Sequence, residues 1–101
     1  LEVHRLPILP GAKSLVEPGN RTRASRSNRE FAEARLRFEG QPDEVRAEFL
    51  FDPQTSGGLL ISVPRERAED LVACAKAAGA SVACIVGWIV PQQDARIVIR
   101  P

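Results

Sequence analysis

The residues best suited to hold an anion fall in one seven-residue run, Asp52-Pro53-Gln54-Thr55-Ser56-Gly57-Gly58. Adjacent glycines let the backbone adopt conformations closed to other residues and let a ligand approach the main chain closely. Thr55 and Ser56 add hydroxyls that can donate to phosphate oxygens, and consecutive amides in such a turn can form an anion-binding concavity. A plain polar turn leading into a strand has the same composition, so both readings stand on these residues alone. Gln54, Thr55, Ser56, Gly57 and Gly58 are the candidate phosphate-facing residues.

Other chemistry-bearing side chains are isolated. Cys74 and Cys84 are read as buried free thiols acting as small apolar residues, one in a helix and one in a strand, and a buried thiol is disfavoured as a nucleophilic thiolate. His4 has no second metal-type ligand at a recognisable spacing and is read as a strand residue. Arg21, Arg23, Arg26 and Arg29 lie within nine residues. Such a run is read as part of a solvated loop, with phosphate contact as the alternative, and no interleaved aromatic offers a stacking surface for single-stranded nucleic acid.

Fourteen basic and thirteen acidic side chains leave a net charge of +1, so no global field favours nucleic acid or an anionic membrane. The longest apolar run, near residues 81–90, is far short of the ~20 residues that a spanning helix requires. The expectation is a soluble, cytoplasmic protein without nucleic-acid or membrane partners. A length of 101 residues suits a single domain with one modest core.

The elements that must position the loop follow from periodicity and punctuation. Residues 1–9 read as an edge strand, because Pro7 cannot donate to a ladder. A short helix follows from Pro10 with Ala12, Leu15 and Val16 on one face, and residues 17–27 read as a loop. Ser27 or Asn28 is the expected cap of a second helix through Glu33. Leu36 and Phe38 mark a brief strand. Pro42, Asp43 and Glu44 open a third helix that must stop before Asp52-Pro53, because a residue preceding proline is pushed out of the helical region. Residues 59–63, LLISV, are an apolar strand entered through the two glycines. Ala68, Leu71, Val72, Ala75 and Ala78 then define a helical face, closed by Gly79 in a left-handed conformation. Residues 81–90 form a second apolar strand, PQQDA a turn, and residues 96–100 a third strand with one wet face. The fold class is α+β, a small mixed sheet with helices packed on one face.

The segment FDPQTSGGLLISVP resembles, nearly residue for residue, one typical of selenophosphate synthetases (selenide, water dikinases), in the superfamily that includes aminoimidazole ribonucleotide synthetase. LPILPGAKSLVEPGN, Asn28-Arg29-Glu30-Phe31, the strand at 36–38 and Gly87 are similar to that family's C-terminal domain in the expected order. Two places depart from it: GNRTRASRS is longer and richer in arginine than the family's compact turn, and Trp88 stands where an acidic residue is common.

The resemblance implies that residues 1–101 are a single partial C-terminal domain of the aminoimidazole ribonucleotide synthetase-like fold, with the N-terminal ATP-binding domain and the start of the C-terminal domain absent. It implies a full-length enzyme that converts ATP, selenide and water to selenophosphate, AMP and phosphate with magnesium, as a homodimer. Gln54 to Gly58 would then face the nucleotide. No catalytic residue and no metal ligand are expected within the chain, which should be inactive alone and hold no cofactor tightly. Lys13 and Lys76 lack the surroundings of the family's essential lysine. The alternatives are a free-standing phosphate-binding or interaction module and a part of another member of the superfamily.

Overall fold

A computed structural model describes residues 1–91 and 96–101. The turn expected at PQQDA falls mostly outside the described residues. Among these residues four α-helices, α1 (Ala12–Val16), α2 (Arg23–Glu33), α3 (Glu44–Glu48) and α4 (Ala68–Ala77), accompany two strands, β1 (Leu36–Phe38) and β2 (Ile97–Ile99). The strands pair in parallel with Leu36 opposite Ile97 and Phe38 opposite Ile99. The fold is thus a small mixed domain of helices and a two-stranded sheet.

The helices begin where side chains can satisfy the free amides of a first turn. Thr22 caps α2 by accepting from the Ser25 amide at 3.0 Å, and Asp43 caps α3 by accepting from the Arg46 amide at 3.0 Å. The arginine-rich run is therefore mostly helix. Its expected loop shrinks because Thr22 caps the helix earlier, while Asn28 spends its side chain elsewhere. Ala68 to Ala77 is entered through a 3-10 turn at Arg65–Arg67 and ends at Gly79, whose φ of 102° is readily open only to glycine.

Three expected strands are corrected. Residues 1–9 form a 3-10 turn at Val3–Arg5 with only an isolated bridge between Glu2 and Arg100. The Arg46 side chain explains this, since it donates to the carbonyls of Val3, His4 and Leu6 at 3.2, 3.0 and 2.8 Å and removes them from any ladder. Residues 59–63 and 81–90 carry no strand assignment. A strand exists only through the neighbour that takes its main-chain groups, and among the described residues neither segment has such a ladder.

The core sits between α3, the N-terminal turn and β2. Val3, Ala47 and Ile99 are buried there, with Leu6, Leu36 and Leu50 packed against them. Main-chain bonds close this half: the N-terminal amine donates to the Val98 carbonyl at 2.7 Å, the Val3 amide to Arg100 at 2.9 Å and the Arg100 amide to Leu1 at 2.9 Å. Leu71, expected to be buried under a sheet, is 37% exposed, because the strands that would cover it are not assembled.

Candidate functional site

The 54–58 loop is anchored at Phe51, the buried residue from which it departs. Two helices hold that residue. From α2, the Asn28 amide group donates to the Phe51 carbonyl at 3.0 Å, and the Arg29 guanidinium lies 4.3 Å from the centre of the Phe51 ring. At the end of α3, the Phe51 amide donates to the Glu48 carbonyl at 3.0 Å, and the Glu48 carboxylate pairs with Arg29 and, at 3.3 Å, with Arg21. A guanidinium over an aromatic face with a carboxylate at its side satisfies both its charge and its donors. The arginine-rich run is thus structural in part, since Arg29 and Arg21 fasten the base of the loop.

Beyond this anchor the loop is open. Asp52, Pro53, Gln54, Thr55, Ser56, Gly57 and Gly58 are all exposed, with Thr55 and Ser56 forming a turn. No main-chain bond among the described residues takes the amides of Thr55, Ser56 or Gly58, so hydroxyls and amides are available together to an anion. Gly57 is required by close approach. A Cβ at that position would stand 2.9 Å from both Cβ and Oε1 of Gln54. Gly58 differs, since a Cβ there would meet nothing within 4 Å. Neither glycine has a positive φ, so the expectation that these adjacent glycines serve backbone conformations closed to other residues is corrected: one glycine admits the Gln54 side chain and the other leaves clear space.

The remaining candidates are placed apart from this loop. Both cysteines are free, but they are exposed and not buried, because the apolar layer expected around them is open; the Cys84 thiol lies 3.4 Å from the Arg5 carbonyl. His4 sits in the 3-10 turn with Nδ1 2.8 Å from the Pro101 carbonyl. Lys13 is committed to Asp43 at 2.7 Å. That bond, together with the Arg46 amide, holds the Asp43 carboxyl below its ordinary range. Glu39 is likewise lowered, first by its bond from Arg100 and also by Arg37. Among the described residues no group of three or more His, Cys, Asp or Glu is arranged to hold a metal ion. No helix among them is long and apolar enough to cross a membrane.

Curated proteins share this sequence at the level of a family. Over 97 residues, 96% of this chain, it is 37% identical to a selenide, water dikinase of Bdellovibrio bacteriovorus, and over 99 residues 35% identical to one of Clostridioides difficile. A third, from Pelobacter propionicus, is 38% identical over 95 residues. The chain belongs to the selenide, water dikinase family, matching its C-terminal part. It spans 27%, 28% and 27% of the lengths of these relatives. No protein-family model and no solved structure matches the chain. The resemblance stated from FDPQTSGGLLISVP is thus shown at the level of family. The role of Arg29, Glu48 and Phe51 as a loop anchor was missed by sequence reasoning, although Asn28-Arg29 stood in one of the segments that carried the resemblance.

Proposed function

We propose that this chain acts as the C-terminal part of a selenide, water dikinase, which forms selenophosphate, AMP and phosphate from ATP, selenide and water. The observation that carries this reading is the alignment of 96% of the chain with a selenide, water dikinase at 37% identity. Its contribution is positional. Phosphoryl transfer relies on positioned donors and cations more than on covalent chemistry by the protein, and the anchored 54–58 loop supplies hydroxyls and amides to a nucleotide phosphate. Gln54 packs over Gly57 and fixes the turn, Thr55 and Ser56 donate, and Gly58 keeps the approach clear.

The groups that carry the chemical step, and the magnesium that the reaction uses, belong to the part of the enzyme outside these residues. The chain alone is inactive. The whole enzyme is a cytoplasmic homodimer with the aminoimidazole ribonucleotide synthetase-like fold. Incubating the isolated chain with ATP, selenide and magnesium should yield no AMP above a protein-free blank. Joining it to the preceding part of the Bdellovibrio bacteriovorus relative should restore selenide-dependent AMP formation. Selenide-dependent AMP from the chain alone would overturn the reading, and so would a well-folded joined protein that forms none.

A further inference from the structure

Residues 57–64 and 83–90 run without helix, turn or bend. They do not meet. No main-chain hydrogen bond joins them among the described residues, and a cavity of about 1010 Å³ has both as its walls and one face of α4 as its floor. Leu59, Ile61, Ile85 and Ile89 line the walls, with Leu71 and Val72 below. Leu59 is 88%, Ile61 57% and Ile89 86% exposed. An apolar patch of this kind on one side of a small domain marks an interaction site more often than a free surface.

The main chain is equally uncommitted. Along 83–90 the Val86 carbonyl accepts from the Glu2 amide at 2.9 Å, toward the N-terminal segment. No main-chain bond among the described residues takes the amides or carbonyls of Ile85 or Gly87. Along 59–63 no amide or carbonyl has a main-chain partner among the described residues. A helix lying in this groove would satisfy only its own backbone and strand these groups away from water. A strand would satisfy both walls.

We propose that this groove takes a single apolar β-strand between residues 59–63 and 85–90, over α4, completing one sheet from 36–38 through 97–100, 1–3 and 85–90 to 59–63. The occupant is supplied by the dikinase polypeptide that precedes this chain's counterpart in the relatives. Two observations commit it to that source: this chain spans 27% of the Bdellovibrio bacteriovorus relative, which leaves most of that polypeptide to provide a strand, and the groove's lining is apolar except at Ser62 and Arg65. The Arg65 guanidinium is stacked 4.5 Å from the centre of the Trp88 ring, so no charge faces the occupant unpartnered, which suits a strand buried on both faces. The occupant's identity rests on the functional reading above, whereas the strand geometry does not.

Amide hydrogen exchange tests this. The isolated chain is compared with the joined protein in which it replaces the matched region of the Bdellovibrio bacteriovorus relative. Amides at 59–63 and 85–90 should exchange freely in the isolated chain and at least ~100-fold more slowly in the joined protein, while those of β2 are protected in both. Ile61→Asp, at a half-exposed position that the isolated fold does not need, should reverse the protection at 85–90 and leave that of β2. Equal exchange in the two proteins overturns the proposal, as does protection that survives Ile61→Asp. Protection in the isolated chain that grows with protein concentration assigns the groove to a second copy, and also overturns it. Groove protection in a joined protein that forms no selenophosphate supports the strand while removing the dikinase reading. Selenophosphate formation without protection does the reverse.

Discussion

Gln54 makes the two neighbouring glycines of the loop unequal. A Cβ added at Gly57 would come within 2.9 Å of Gln54 Cβ, which cannot swing aside as its Oε1 can. Gly57→Ala should therefore lower stability, by about 1 kcal/mol, at the low end of overpacking costs because the exposed loop can yield. Gly58→Val has open space and an unstrained φ, so its melting temperature should match the parent's within error. In the joined enzyme its side chain would stand where the proposed phosphate approaches, and the KM for ATP should rise. Thr55→Ala and Ser56→Ala should also leave stability within about 1 kcal/mol and raise that KM, since a bond to a charged group contributes roughly 1.5–3 kcal/mol. Melting curves and ATP kinetics on the four variants check this. If Gly58→Val unfolded the chain while Gly57→Ala did not, the assignment of the two glycines would be reversed.

The helices and the strands at 36–38 and 97–99, which take each other as partners, were legible from the sequence, whereas the strands expected at 1–9, 59–63 and 81–90 were not found. Asp43 caps α3 and Gly79 ends the α4 region as their positions predict, because both effects act within one turn. Ser27 or Asn28 was expected to cap the second helix, and Thr22 caps it instead. Thr22 prevails because Asn28 donates to Phe51 and Ser27 donates back to the Arg23 carbonyl at 3.3 Å. The strands at 59–63 and 81–90 were misread for the opposite reason: their apolar composition is real, but pairing depends on a neighbour that no local pattern reveals. Of the site, the loop was legible and its anchor was not, since Arg29, Glu48 and Phe51 meet only after two helices pack. Thr22→Ala should cost about 1 kcal/mol by denaturant titration. Acid should act through Glu39 and Asp43, whose folded carboxyls titrate below their ordinary values of 4.5 and 3.8. Lowered folded values stabilise the fold above those pH values, and that contribution is lost as pH falls through the folded ones. Glu39→Gln should therefore flatten the decline in melting temperature below about pH 4.5, the ordinary value of that carboxyl. An unchanged acid limb would show that the Arg100 bond adds nothing to the fold.

The whole molecule divides into a closed half and an open one. Its radius of gyration is 14.5 Å, against ~13 Å for a compact domain of 100 residues. The excess fits an α4 region joined to the rest through few main-chain bonds, such as that from the Glu2 amide to Val86. Ile99 and Leu71 report on the two halves separately. Ile99 is 1% exposed between Val3 and Ala47, so Ile99→Ala removes fully buried methyl groups and leaves a cavity, which should cost about 2–5 kcal/mol. Leu71 is 37% exposed on the floor of the open groove. Its truncation loses only part of a transfer energy and opens no enclosed void, so Leu71→Ala should cost less than about 1 kcal/mol in the isolated chain. Once a strand fills the groove, Leu71 becomes a core residue and the same substitution should move toward the cost at Ile99. Urea denaturation of both variants, in the isolated chain and in the joined protein, gives the four values. A Leu71→Ala cost equal to that of Ile99→Ala in the isolated chain would mean that the groove is already closed, and the division of the molecule into two halves would be wrong.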